Sequence, residues 1–300
     1  MLAGLCGGVG LLIFGMNLMS GSLQKFAGEG LKKALATLTS NRFSVVLGAN
    51  LGTTLTAQLM AFSIAAIALP AIAIGMLFRS FAQNARLQYF GEIMIGFGML
   101  FLALEIIKTS VMPLRHTNMF SEAFIYFSAN PLLAVLAGAC VTAIIHSSTA
   151  TVGITIALAS TGLIDFYAAC AFVLGENIGT TVTANISALG ANRAAKQAAF
   201  GHFLYNVLGV LVALIFLKYL IGIVDFFTPN DPDFMTAEGT KPYIARHIAN
   251  FHTGFNLFSI VLFLPFINYL ARLCEIFIKR DKNDKNKIVR LSDNLMSTPP

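Results

Sequence analysis

The chain has 300 residues, of which 56% are hydrophobic and 11% charged, with a formal net charge of +6. An ordinary soluble domain carries roughly a quarter charged residues, so this composition excludes water as the main solvent of the fold. The positive charge does not point to nucleic acid, because Lys and Arg sit at the ends of apolar runs and in the last thirty positions, and no basic face with interleaved aromatics is present.

Taken in chain order, the first apolar run covers about 2–19, and no charged residue precedes Lys25. With no basic residue before it and no small-residue cleavage site, it reads as a retained span, not a secretory signal. Positions 22–38 place Leu23, Phe26, Leu31, Leu35 and Leu38 at near-helical spacing with Lys25, Lys32 and Lys33 between them. That pattern fits a helix lying in the membrane interface or an ordinary connecting helix. No charge occurs between Arg42 and Arg79, and runs at about 43–62 and 64–78 fill that interval. Further runs follow at about 89–107, 132–164, 166–189, 198–224 and 248–273, and between Glu122 and Glu176 the one charged residue is Asp165. Spans of about 20 apolar residues are what a bilayer requires. The fold class is therefore an all-α polytopic membrane protein with about eight apolar segments. From Arg272 to the end there are seven basic and four acidic residues, a solvated tail that the positive-inside rule puts in the cytoplasm. Cys6, Cys140, Cys170 and Cys274 lie far apart without a CxxC pair, so they read as small buried hydrophobes and not as a disulfide framework or zinc site.

The strongest signal is an internal repeat. GANLGTTLTAQ (48–58) and GENIGTTVTAN (175–185) share seven of eleven positions at an offset of 127. A weaker pair, Phe14-Gly15-Met16 and Phe97-Gly98-Met99, stands at an offset of 83. The offsets differ because the first copy is shorter. With Asn41 set against Asn130, the distance to the repeated asparagine is 9 residues in the first copy and 47 in the second, so about 38 residues are missing near 42–46. The segment present only in the second copy surrounds His146-Ser147-Ser148-Thr149-Ala150-Thr151.

That segment carries chemistry. The apolar arms on either side, 132–145 and 152–164, are each too short to cross about 30 Å of hydrocarbon, and a Ser/Thr cluster in mid-span needs partners. Two half-helices meeting at mid-membrane satisfy both conditions; backbone amides at a half-helix start bind anions, while hydroxyls and freed carbonyls coordinate small cations. The alternative is one full span whose hydroxyls bond to their own helix. The repeated GxNxGTT islands read as unwound or kinked helices whose Asn, Thr and carbonyl oxygens face a cavity and suit a hard cation such as Na⁺, or as small-residue packing surfaces. Glu176 is an acid deep in an apolar run and needs a partner, a proton or a cation, unless it lies near the membrane surface. His202 and His252 each precede an Asn by four residues, which fits interhelical hydrogen bonding better than a metal pair.

Together with AAFGHFLYNVLG and IANFHTGFNLFSIVLFLPF, these motifs resemble the sodium-dependent phosphate cotransporters, including their bacterial members, over most of residues 1–275. The resemblance implies Na⁺-coupled symport of inorganic phosphate across the cytoplasmic (inner) membrane, two inverted repeats, and in each a re-entrant hairpin with a Gln-Ser-Ser type motif followed by a broken helix. Carried over, Ser147, Ser148, Thr149, Asn177 and Asn50 would bind phosphate; Thr180, Thr181, Thr53, Thr54 and Ser148 would bind Na⁺; and His146, Glu176, Gln58 and Asn185 would complete the cavity. The implied partners are phosphate, Na⁺ as coupling ion and the lipid bilayer, with a homo-oligomer or a PhoU-like protein as further candidates. Neither an enzymatic activity nor another cofactor is implied. The chain divides into a shortened first repeat (1–86), a second repeat with C-terminal spans (87–275) and the charged tail (276–300). It departs from the family in having His146 in place of Gln, in lacking the first-copy hairpin, and in stopping at a linker-like stretch, 288–299, that in many bacterial members leads into a PhoU-like domain. An alternative outcome of the deletion is a transport-impaired phosphate-binding or regulatory subunit.

Overall fold

The computed structural model describes residues 1–38, 42–62, 65–117, 122 and 126–279; the tail beyond 279, the linker-like stretch and Asn41 lie outside the described residues. All regular elements among the described residues are helical: α1 (Leu2–Leu38), α2 (Arg42–Met60), α3 (Ala65–Phe81), α4 (Ala85–Val111), α5 (Pro131–Ile145), α6 (Ser148–Ser160), α7 (Phe166–Ala188), α8 (Arg193–Ile215), α9 (Leu217–Phe227), α10 (Ile244–Phe263) and α11 (Ile267–Phe277). The stretches Leu2–Gly28, Ala85–Leu114, Arg193–Ile215 and Ile244–Phe277 are long and apolar enough to cross a membrane; Ala66–Phe81, Pro131–Ile145 and Ser148–Ser160 are apolar but shorter. The helix starts carry the side chains that such starts need. Asn84, Asp165 and Asn192 each accept a hydrogen bond from a backbone amide of the first turn, and Pro131 opens α5, where a missing N–H costs nothing. The first apolar run and the following basic segment form one helix as far as Gly28, whose left-handed backbone (φ 61°) puts a kink between them.

α4 lies between α1 and α3 and is antiparallel to both. Gly4, Gly8 and Gly15 of α1 face Ser110, Ile107 and Gly96 of α4 in turn, while Gly75 and Ala68 of α3 face Gly91 and Gly98. Close backbone approach of this kind is how helices gain contact in lipid, where the hydrophobic effect gives no preference for helix over solvent. One carboxylate joins all three helices: Glu92 of α4 accepts from Ser22 of α1 at 2.6 Å and pairs with Arg79 of α3 at 2.6 Å.

The predicted single run at 132–164 is two helices, and they form a hairpin. α5 runs parallel to α7, since Gly138 meets Phe172, Gly175 meets Val135 and Ala139, Gly179 meets Thr142, and His146 reaches Thr183. α6 then runs back along α7, with Thr155 bonded to Glu176 and the chain entering α7 at Phe166. By helical rise the arms are about 20–23 Å long, shorter than about 30 Å of hydrocarbon. α6 is central and almost wholly buried; its Gly153 meets Leu12 of α1, Met60 of α2 and Leu104 of α4.

The expectation of broken helices at the repeated islands does not hold. Residues 48–58 and 175–185 lie within the uninterrupted helices α2 and α7. The polar side chains bond back to their own helices instead. Asn177 Nδ2 donates to Val173 O (2.9 Å), Thr180 Oγ1 to Glu176 O (2.8 Å), Thr181 Oγ1 to Ile178 O (2.7 Å) and Thr53 Oγ1 to Asn50 O (2.8 Å). Back-bonding satisfies a hydroxyl or amide without opening the backbone ladder.

The α5–α7 seam gives a direct check. A Cβ on Gly175 would collide with the Val135 carbonyl, whereas one on Gly7 would meet open space. Gly175→Ala is expected to cost about 1–3 kcal/mol, read as a fall in thermal stability in detergent, with Gly7→Ala close to the parent.

Candidate functional site

The hairpin turns on two residues. His146 ends α5 in the left-handed conformation (φ 57°), and Ser147 is extended. The His146 amide donates to Thr142 O (2.9 Å), and the Ser147 hydroxyl accepts from Ala150 N at 3.3 Å while Thr151 Oγ1 donates to Ser147 O at 3.0 Å. The α6 start is thus capped by Ser147, and the first-turn amides of Ser148 and Thr149 have no acceptor within the helix, which is the arrangement that favours an anion. Ser147, Ser148 and Thr149 are half-buried and His146 is exposed, its Nδ1 lying 3.2 Å from Thr183 Oγ1.

Deeper in the seam, Glu176 is 1% exposed. Its Oε1 accepts from Thr155 Oγ1 at 2.6 Å. The acid is thus enclosed between α6 and α7.

The repeated asparagines and amides are divided between two neighbourhoods. Asn50 of α2 faces α8: its Nδ2 donates to Asn206 Oδ1 (3.2 Å), and its Oδ1 lies 3.1 Å from His202 Nε2, which must be the donor. Gln58 faces α10, donating to Asn250 Oδ1 and Thr253 Oγ1 (3.0 Å each) and accepting from Arg246 at 3.1 Å; the guanidinium of Arg246 stacks over Phe62 at 4.3 Å. Asn185 ties α7 to α8 by donating to Ala199 O at 3.0 Å, besides Thr181 O in its own helix. Asn177, Thr181, Asn50 and Thr54 are all buried. The structure thus brings Ser147 to Thr149 together at the hairpin and places Glu176 and Thr155 on the same seam, but it commits Asn50 to α8. The His-x-x-x-Asn pattern has a local cause in both places, since Asn206 and Asn256 each donate to the carbonyl of the histidine four residues earlier (2.9 Å). The expected interhelical bond is made by His202, whereas His252 Nδ1 has no partner among the described residues.

Sequence reasoning missed Thr155, Thr183, Arg246 and Lys241. Thr155 stands four residues after Thr151, so helical spacing from the HSSTAT cluster could have found it. Lys241 could not be found that way: it reaches from the loop before α10 to bond Asp233 (2.7 Å) and Ile164 O (3.3 Å), while Asp233 accepts from Phe166 N (3.1 Å), so the loop is latched to the α6–α7 corner. A cavity of about 280 Å³ lies at that end of α6, away from Ser147, lined by Met60, Phe62, Lys108, Ile156, Ser160 and Lys241 among others.

The family model for the Na⁺/Pi-cotransporter matches residues 43–109 and 115–224. The chain belongs to that family. It is 32% identical over 234 residues to YqeW of Bacillus subtilis (strain 168), covering 78% of this chain and 72% of that one. It is 29% identical over 276 residues to the "Putative inorganic phosphate export protein YjbB" of Escherichia coli (strain K12), covering 91% of this chain but 48% of the relative. The chain therefore spans about half the length of the latter. The sodium-dependent phosphate transport protein 2A of Oryctolagus cuniculus is 36% identical over 92 residues, 29% of this chain and 14% of that protein. No solved structure matches. The resemblance stated from the motifs is borne out, and the hairpin lies within the second matched stretch.

The left-handed His146 makes the turn testable. His146→Gly is expected to keep the parent's stability, and His146→Val to lose about 1–2 kcal/mol, measured by thermal unfolding and by faster amide exchange at 142–151.

Proposed function

We propose that the chain is a secondary active transporter of inorganic phosphate in the cytoplasmic membrane, coupled to Na⁺. The observation that carries the reading is the reversal at His146-Ser147, which sets the hydroxyls of Ser147, Ser148 and Thr149 and two free backbone amides at the start of a buried helix. A phosphate with one to two negative charges needs compensation inside a membrane, and co-bound Na⁺ supplies it together with the energy of the ion gradient. In this reading Ser147, Ser148 and Thr149 hold phosphate with help from Asn177, and Thr180, Thr181 and Ser148 offer oxygens to Na⁺. Thr53, Thr54 and Asn50 form the first-copy side, with Asn50 first having to leave His202 and Asn206. Two inverted repeats rocking about the hairpin would alternate the access. The tail is assigned to the cytoplasm by its basic residues. Na⁺-coupled uptake is the direction proposed here, whereas the name of YjbB speaks of export.

A second reading has its own support. The first copy lacks about 38 residues at the place of its hairpin, and Asn50 is engaged by α8, so a phosphate-binding or regulatory subunit, acting as a homo-oligomer or with a PhoU-like partner, is the alternative.

Uptake of labelled phosphate into proteoliposomes separates the two. Transport predicts accumulation that follows an inward Na⁺ gradient and that Ser148→Ala weakens about threefold to tenfold in apparent affinity. Phosphate binding without accumulation selects the regulatory subunit. Unchanged kinetics in Ser148→Ala would remove the hairpin from the site.

A further inference from the structure

At the end of α6 away from the hairpin tip, the cavity of about 280 Å³ takes part in no step of phosphate binding or transport. Its walls are largely apolar, formed by Met60 and Phe62 at the end of α2, Leu104 and Met112 at the end of α4, and Ile156 of α6. Of these, Phe62 and Met112 are exposed, so the apolar wall continues onto the outer surface of the bundle. The cavity also lies at a membrane boundary. It is flanked by the last turns of the Ala85–Leu114 span and by Thr240 and Lys241, from the loop that carries the exposed acids Asp231, Asp233 and Glu238.

Two charges line this cavity without a partner. Glu105 and Lys108 of α4 form no ion pair among the described residues, although opposite charges three apart on a helix are spaced to pair. The third charge, on Lys241, is already taken by Asp233 and the Ile164 carbonyl. An inorganic anion would suit Lys108 alone; it would meet Glu105 as a like charge and gain nothing from the apolar wall. The matching ligand has hydrocarbon, an anionic group and a cationic group about 5–6 Å apart, the separation of side chains one turn apart on a helix. Phosphatidylethanolamine has these parts, its phosphate and primary ammonium being joined by a two-carbon link. Phosphatidylglycerol lacks the cation, and the methylated nitrogen of phosphatidylcholine has no N–H to donate to a carboxylate.

We propose that this cavity is a phospholipid site selective for phosphatidylethanolamine, with the lipid phosphate on Lys108, its ammonium on Glu105 and the head of an acyl chain against Met60, Leu104 and Ile156. Bound there, the lipid touches α2, α4, α6 and the loop that latches the α6–α7 corner, so it braces the end of α6 opposite the hairpin tip. The site needs the membrane setting of the helices and does not rest on the transport reading.

The test uses the full chain in detergent micelles, with thermal unfolding and native mass spectrometry followed as dioleoyl phosphatidylethanolamine, phosphatidylcholine or phosphatidylglycerol is added. The parent is expected to bind phosphatidylethanolamine saturably and at least about fivefold more tightly than the other two. Glu105→Gln is expected to bring the phosphatidylethanolamine and phosphatidylcholine affinities within about twofold of each other, and Lys108→Ala to weaken both about threefold to tenfold. Should Lys108→Ala fail to fold, the ratio of the two affinities in Glu105→Gln decides. The site is overturned if the parent shows no preference for phosphatidylethanolamine, if the preference survives Glu105→Gln, or if Lys108→Ala binds as the parent does. Displacement of the lipid by millimolar inorganic phosphate also overturns it, since the cavity would then hold the free anion. Phosphate uptake is a separate readout: a parent that binds the lipid and does not transport keeps the site and removes the transport reading, and Na⁺-driven uptake without the lipid preference does the reverse.

Discussion

Inside hydrocarbon a backbone N–H or C=O without a partner costs several kcal/mol. The protein meets that constraint almost everywhere by helix and departs from it at His146-Ser147, in the middle of an apolar stretch. A departure there is tolerable only inside protein or where the backbone lines a water-filled cavity. α6, which starts at the break, is accordingly enclosed by α1, α2, α4, α7 and α10, and nine of its thirteen residues are buried. The local bonds at the turn, from His146 N to Thr142 O and from Ala150 N to Ser147 Oγ, dispose of the groups that a helix end leaves over. What is not disposed of is a pair of amides and a set of hydroxyls, and the candidate site consists of these.

Much of this was legible in residue order. Apolar stretches bounded by charges gave the helices, because length in lipid is a strict requirement. The reversal at Ser147 followed from two arms that are each too short, and from a polar cluster that had no reason to sit in mid-span. The islands at 48–58 and 175–185 were harder. Gly, Asn and Thr in an apolar run are compatible with an opened helix and with a closed one whose side chains bond back to it, and composition does not distinguish them. Here Asn177 and Thr180 find Val173 O and Glu176 O within one turn, and the helix stays closed. Contacts made across long separations, such as Lys241 to Ile164 O or Gln58 to Asn250, were beyond a reading based on local spacing.

The duplication explains why equivalent residues do different work. Gln58 and Asn185 occupy the same repeat position, and each fastens its helix to a neighbour, Gln58 to α10 and Asn185 to α8. Eight residues earlier in each copy, Asn50 is held by an adjacent helix, whereas the bond that Asn177 makes among the described residues is to its own helix. The hairpin, present once, breaks the equivalence: α7 packs against both of its arms and α2 against α6, while both helices also touch α8 and α10.

The glycine seams have a mechanical consequence. α1, α3 and α4 meet backbone to backbone, as do α5 and α7, and surfaces that interlock so closely resist sliding. Each set therefore behaves as a stiff plate. α6 lies between the plates, offering Ala, Gly and Thr to both sides, and its far end is moored by the Lys241 latch. α6, wedged between these two plates, is the element whose position both of them set.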